Sequence, residues 1–141
     1  MRGRTYKNYT GEPLYPFGYG LSYADISLGG LRADRARAVV SAVNHSASAA
    51  EEVVEVYVRD MGSPDAPVNP VLGGFSRVRL EAGKTEELAI PLDPRAFTVV
   101  GDDGCRRPGI GPWFVYAGFG QPDPITEKLT GRSCLRTEIV P

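Results

Sequence analysis

The sequence predicts an all-β sandwich of two antiparallel sheets, and three observations carry that expectation. Seventeen glycines and twelve prolines break the 141 residues at short intervals, which suits many short strands better than helices. Several segments between these breaks alternate apolar and polar side chains, the period of a strand with one buried face. An apolar content of 42% with 23% charge is ordinary for a globular domain, and a chain of this length buries about two-thirds of its unfolded surface without disulfide or metal support.

Taken in order, Ile26–Leu28 is a short first strand. Ala36–Asn44 follows, with small residues on both faces. Glu52–Asp60 is the clearest strand: Val54, Val56 and Val58 share one face and Glu55, Tyr57 and Arg59 the other. After the proline-punctuated loop Met61–Pro70 comes Phe75–Leu80. Thr85–Asp93 sets Leu88, Ile90 and Leu92 against Glu87, Ala89 and Pro91, the proline marking an edge. Trp113, Val115, Ala117 and Phe119 line a later strand, and Leu135, Thr137 and Ile139 the last. That makes about seven strands over residues 24–141, the count of an immunoglobulin-like sandwich. Its expected core is Val54, Val56, Val58, Leu88, Ile90, Leu92, Trp113 and Val115. Cys105 and Cys134 lie at opposite ends of the final up-and-down pair, joined by a turn over Pro122–Gly131. A strand's length of roughly 25 Å then separates them, against a limit near 7 Å for a disulfide, so both are expected as free thiols.

Residues 1–23 are different in kind. Five of the seven tyrosines (Tyr6, Tyr9, Tyr15, Tyr19, Tyr23) and Phe17 fall here, interleaved with Gly11, Gly18, Gly20, Pro13 and Pro16. Their spacing is neither helical nor alternating, so no regular element buries the rings. The expectation is an irregular strap laid along a surface, either that of its own domain or that of a partner. Buried tyrosine is the commoner case, so pattern alone favours the former.

Charge and motifs exclude several functions. A net charge of −1 gives no attraction for nucleic acid or an anionic membrane. The densest basic run, Arg32, Arg35 and Arg37, contains Asp34 and fits a solvated loop and strand edge. No apolar run reaches membrane-spanning length. A glycosidase would need two carboxyl groups facing each other across the sugar. The adjacent acids Glu51-Glu52 point to opposite faces of a strand, and Asp102-Asp103-Gly104 is turn chemistry. His45 is the only histidine and has no nucleophile elbow to serve. One histidine and two distant cysteines give no metal set. Gly18-Tyr19-Gly20 lacks the strand–helix setting of a phosphate cradle. Asn8-Tyr9-Thr10 and Asn44-His45-Ser46 match the glycosylation triplet, which matters only in a eukaryotic secretory route. No catalytic residue, cofactor or metal is therefore expected in this chain.

The strap also carries a resemblance. Gly3-Arg4-Thr5-Tyr6 followed by Gly11-Glu12-Pro13-Leu14-Tyr15-Pro16-Phe17-Gly18-Tyr19-Gly20-Leu21-Ser22-Tyr23 closely resembles the segment leading out of the catalytic domains in glycoside hydrolase family 3, which contains β-glucosidases and β-xylosidases. Val53–Asp60 is similar to the "VVQLYVSD" strand of that family's C-terminal fibronectin type III-like domain. Leu72–Val78 and Leu80–Thr85 resemble its "LKGFKRV" and "LKPGET", and Pro112–Gly118 its late "PGEFEVYVG" strand. The resemblance implies that residues 1–23 are a linker from a catalytic region and that residues 24–141 are the fibronectin type III-like domain. In that family the nucleophilic Asp lies in a barrel domain and the acid in an α/β domain, both of which would precede residue 1.

The function so implied is a non-catalytic accessory domain that stabilises and docks on the catalytic domains of its own polypeptide, with Tyr15, Phe17, Tyr19 and Tyr23 as docking residues. The parent enzyme would hydrolyse terminal β-linked glucose or xylose, and family habit implies a periplasmic or secreted setting. Two alternatives stand beside it. One is an independent carbohydrate-binding module in which Tyr15, Phe17, Tyr19 or Trp113 stacks on sugar rings, although an inward-facing Trp113 belongs more naturally to a core. The other is a structural spacer or adhesion domain.

Overall fold

The computed structural model describes residues 5–141. Its regular elements are β1 (Ile26–Ala33), β2 (Arg37–Asn44), β3 (Ala50–Asp60), β4 (Val71–Leu80), β5 (Thr85–Pro91), a 3-10 turn (Pro94–Phe97), β6 (Thr98–Val100), β7 (Arg106–Pro108), β8 (Trp113–Gly118), α1 (Pro124–Thr130) and β9 (Leu135–Ile139). One antiparallel sheet has the order β1-β2-β5 and the facing sheet β4-β3-β8-β9, while β6 and β7 form a separate ribbon. The chain is an all-β sandwich of two antiparallel sheets, as the alternation predicts.

The core sits where the inward residues of the two sheets meet. Ala38, Val40 and Ala42 of β2 and Leu88 and Ile90 of β5, with Leu92 beyond it, face Val54, Val56 and Val58 of β3 and Trp113, Val115 and Ala117 of β8. All eight expected core residues are buried. Trp113 meets Phe97 edge to face, with centroids 5.8 Å apart, and the Arg35 guanidinium lies 4.7 Å from its ring. Arg35 is thus a cation–π cover over the core's end, beyond the solvated role expected for it. Pro91 ends an edge strand, where its missing N–H disturbs no ladder.

Buried polarity is concentrated at Asn44. Its Nδ2 donates to the carbonyls of Ser48 (2.9 Å) and Leu80 (3.0 Å), and its Oδ1 accepts from Ser46 N–H at 2.9 Å. The amide of that glycosylation triplet is therefore fully enclosed and committed to the turn between β2 and β3. The long loop after β3 is pinned by Asp60, which accepts from Gly62 N–H (2.9 Å) and from the Ser63 backbone and hydroxyl. Burial opposes ionisation of Asp60, but those bonds outweigh it and hold its pKa below the usual carboxylate range.

Several details differ from expectation. Strand β1 runs on to Ala33 through a bulge between Gly29 and Arg32, where Gly30 takes a left-handed φ of 63°. Among the described residues nine strands form, because β6 and β7 close a small ribbon around the Asp102-Asp103-Gly104 turn. The expected turn over Pro122–Gly131 contains helix α1. Asp123 caps it by accepting from Ile125 N–H at 2.7 Å, Pro124 opens it, and Gly131 ends it in the left-handed region. Phe119 lies beyond β8 and is half-buried. Cys105 and Cys134 are free thiols. Cys105 sits beside the β6–β7 ribbon, while Cys134 lies against Gly118 and Gly120 at the far end of β8.

Candidate functional site

The strap lies on the outer face of the four-stranded sheet, and backbone bonds rather than strand pairing hold it there. Asn69 N–H donates to Lys7 O at 2.9 Å, and Gln121 N–H to Phe17 O at 3.0 Å. The Asn69 side chain donates to the carbonyls of Tyr6 (2.5 Å) and Tyr9 (2.8 Å). Pro16 is buried, and Tyr19 N–H closes a turn onto Pro16 O at 3.1 Å. The strap is irregular because glycines and prolines deny it a ladder, yet its shape is fixed by these bonds.

The rings divide accordingly. Phe17 stacks on Tyr6 at 4.4 Å, and Tyr15 lies against Tyr19 at 4.9 Å. Tyr19 is half-buried, whereas Tyr15 is 67% exposed, Leu14 89%, Leu21 78% and Tyr23 fully exposed. The strap thus brings Tyr15 and Tyr19 together, pairs Phe17 with a ring outside the proposed docking set, and leaves Tyr23 apart. Trp113, the fourth candidate sugar platform, is buried in the core and offers no face to a ligand.

Beneath the strap, the outer face of β3 contributes Glu55 and Tyr57. The alternating pattern places both towards solvent, but Tyr57 is fully buried because the strap covers it. Its hydroxyl donates to Glu55 Oε2 at 2.7 Å. Gly18, with φ of 75°, sits directly on this pair: a Cβ there would collide with the Glu55 carboxylate and reach the Tyr57 hydroxyl. Burial pushes the Glu55 pKa up, opposed by the Tyr57 hydrogen bond. Burial, and then the hydrogen bond to Glu55, raises Tyr57. Burial likewise raises the nearby Cys134 thiol to about 11, with help from Glu55 and Glu127.

A cavity of about 230 Å³ opens beside this floor, walled by Gly18, Leu21, Phe119, Arg132 and Cys134. Arg132 is already engaged, lying 3.7 Å from Glu52 and donating to Ala24 O at 2.9 Å. A second hollow of about 230 Å³ runs under Tyr9, Pro13 and Tyr15 towards Asn69 and Gln121. Among the described residues no group of three or more His, Cys, Asp or Glu gathers to hold a metal, and no helix is long and apolar enough to cross a membrane. Glu55 and Tyr57 escaped the sequence reading because alternation assigns the outer face to water. The one available signal was that a ring-rich arm needs a surface to lie on.

Comparison with known proteins agrees with this architecture. Residues 52–120 match the family model described as a fibronectin type III-like domain. The chain is 29% identical to a xylan 1,4-β-xylosidase of Xylanibacter ruminicola over 92% of its own length but 16% of that protein's. It is 32% identical to a probable β-glucosidase J of Aspergillus fumigatus, covering 91% of this chain and 17% of that one. Among solved structures it superposes on a family 3 β-glucosidase of Bifidobacterium adolescentis with a TM-score of 0.73 and 29% identity, over 95% of this chain and 19% of the other. The chain spans about a sixth of the curated relatives it matches. It belongs to the fibronectin type III-like domains that form a small part of family 3 glycoside hydrolases.

Proposed function

We propose that this chain is a non-catalytic accessory domain that docks on and stabilises the catalytic domains of a family 3 glycosidase acting on terminal β-linked glucose or xylose. The observation that carries this reading is the strap: an aromatic arm held in one shape by backbone bonds, with Tyr15, Leu14, Leu21 and Tyr23 turned outward. Exposed apolar patches of this kind on a soluble domain mark interaction surfaces. On this reading residues 1–23 form the linker and residues 24–141 the sandwich, and Tyr15, Phe17, Tyr19 and Tyr23 are the docking residues. Relatives named for xylose and for glucose leave the sugar to the catalytic domains.

The test is a comparison of melting temperatures. Tyr15, Phe17 and Tyr19 are replaced together by serine, once in this chain alone and once in the chain joined to family 3 catalytic domains. The joined protein is expected to lose more than the isolated chain. Equal losses would mean that the rings serve only their own sandwich. Titration with xylan, cellulose and short oligosaccharides distinguishes a carbohydrate-binding module, which would bind them without any catalytic domain present.

A further inference from the structure

The floor of the strap contains a carboxyl group in an unusual position. Glu55 is half-buried, and its Oε2 accepts from the Tyr57 hydroxyl at 2.7 Å. Among the described residues no lysine or arginine pairs with it. Phe75 stands opposite on β4 and Gly118 opposite on β8. The segment entering β9 brings Cys134, with Glu127 of α1 beyond it. Arg132 on the cavity wall is committed to Glu52 and to Ala24 O. From the strap come Gly18, in direct contact, and Tyr6, near Tyr57. Nothing in this set offsets a negative charge except one phenolic hydroxyl.

The strap presses on this group through the one residue that fits. The turn Pro16–Tyr19 puts Gly18 in the left-handed region, where a side chain would be strained, and a Cβ would strike the carboxylate. The other side of the turn is fixed by Gln121 N–H on Phe17 O at 3.0 Å. Among the described residues, closing the strap therefore removes water from Glu55 without supplying a countercharge.

We propose that Glu55 is a proton-operated latch for the strap, which closes fully over the neutral carboxyl and loosens when the carboxylate forms. The direction follows from desolvation, which burdens only the charged form and raises the pKa when the strap is seated. A group raised on closing contributes its full stabilisation below its free value of 4.5, and that contribution is lost as pH rises through the raised value. Each pKa unit of difference between open and closed states corresponds to a tenfold change in the closing equilibrium. The device is a property of this chain, whatever the strap's outer face meets.

Amide hydrogen exchange of the full chain tests the latch between about pH 4 and about pH 8, with rates corrected for intrinsic exchange. Protection at Tyr19 and Gln121 is expected to be highest at the acid end and to fall through a midpoint above 4.5. Glu55→Gln keeps the shape and cannot ionise, so it should hold the acid-end protection throughout. Tyr57→Phe removes the hydroxyl that favours the carboxylate and should move the midpoint upward. Trp113 emission reports whether the sandwich stays folded; if Glu55→Gln disturbs it, the Tyr57→Phe midpoint decides. A flat wild-type profile, an E55Q profile that titrates like wild type, or an unmoved Y57F midpoint would each overturn the proposal.

Discussion

Cys134 and Cys105 show how far burial alone separates two chemically identical side chains. Cys134 is packed between Gly118 and Gly120, and its pKa is raised to about 11 by burial first and by Glu55 and Glu127 after it. Only the thiolate attacks an alkylating agent, and at about pH 8 a thiol of that pKa is ionised in roughly one molecule in a thousand. Cys105 is exposed beside the β6–β7 ribbon. In the folded protein, iodoacetamide is expected to modify Cys105 readily and Cys134 about a hundredfold more slowly than a free cysteine. Both should react once denaturant is added. Equal rates in the folded state would contradict the burial, and no reaction in denaturant would reveal a bridge. The free thiols were legible from strand geometry, because Cys134 opens the strand antiparallel to β8 at the end away from Cys105. Asn44 was not legible: its partners Leu80 and Glu81 come from the end of β4 and the residue after it, remote in sequence, so its burial could not be read locally.

At the scale of elements, alternation located β3, β5 and β8 because each buries one face against the facing sheet. It failed where burial is absent. Helix α1 buries only Thr126, whose hydroxyl donates to Gln121 O at 2.7 Å, so the helix carries no apolar stripe to read. Its termini were nonetheless written in Asp123-Pro124 and Gly131, the cap, first-turn proline and left-handed stop of a short helix. With so little packing, capping is a large share of what holds α1. Asp123→Ala removes the acceptor for Ile125 N–H and is expected to cost about 1 kcal/mol, read as a lower urea midpoint at unchanged slope. A midpoint equal to wild type would show that Gly131 and Arg132 hold the segment unaided. The ribbon β6–β7 was missed for a related reason, since its strands have only three residues each, too few to establish a period.

For the whole molecule, two-sheet architecture and core composition followed from Val54, Val56, Val58, Leu88, Ile90 and Trp113, but the orders β1-β2-β5 and β4-β3-β8-β9 depend on which edges meet, which no single strand encodes. The strap's rings were visible in sequence; the Glu55–Tyr57 floor was not, because it exists only once the strap lies down. The same whole-chain view bears on hydrolysis. Cleavage of a glycoside needs a proton donor and a second carboxylate about 5 to 9.5 Å away across the bond. The acids that the sequence or the structure singles out are otherwise engaged. Glu51 pairs with Arg77 and Arg79, and Glu52 lies beside Arg132. Asp103 is held at about 2 by Arg107 and the Cys105 N–H, too low to donate a proton near neutrality. Glu55 has the raised pKa of a proton donor, but Glu52, the other carboxylate lining its cavity, lies 3.7 Å from the Arg132 guanidinium. The isolated chain is therefore expected to release no nitrophenol from aryl β-glucosides or β-xylosides above the buffer background. Turnover that co-purifies with the folded chain and disappears in Glu55→Gln would sink that expectation and place the chemistry beneath the strap.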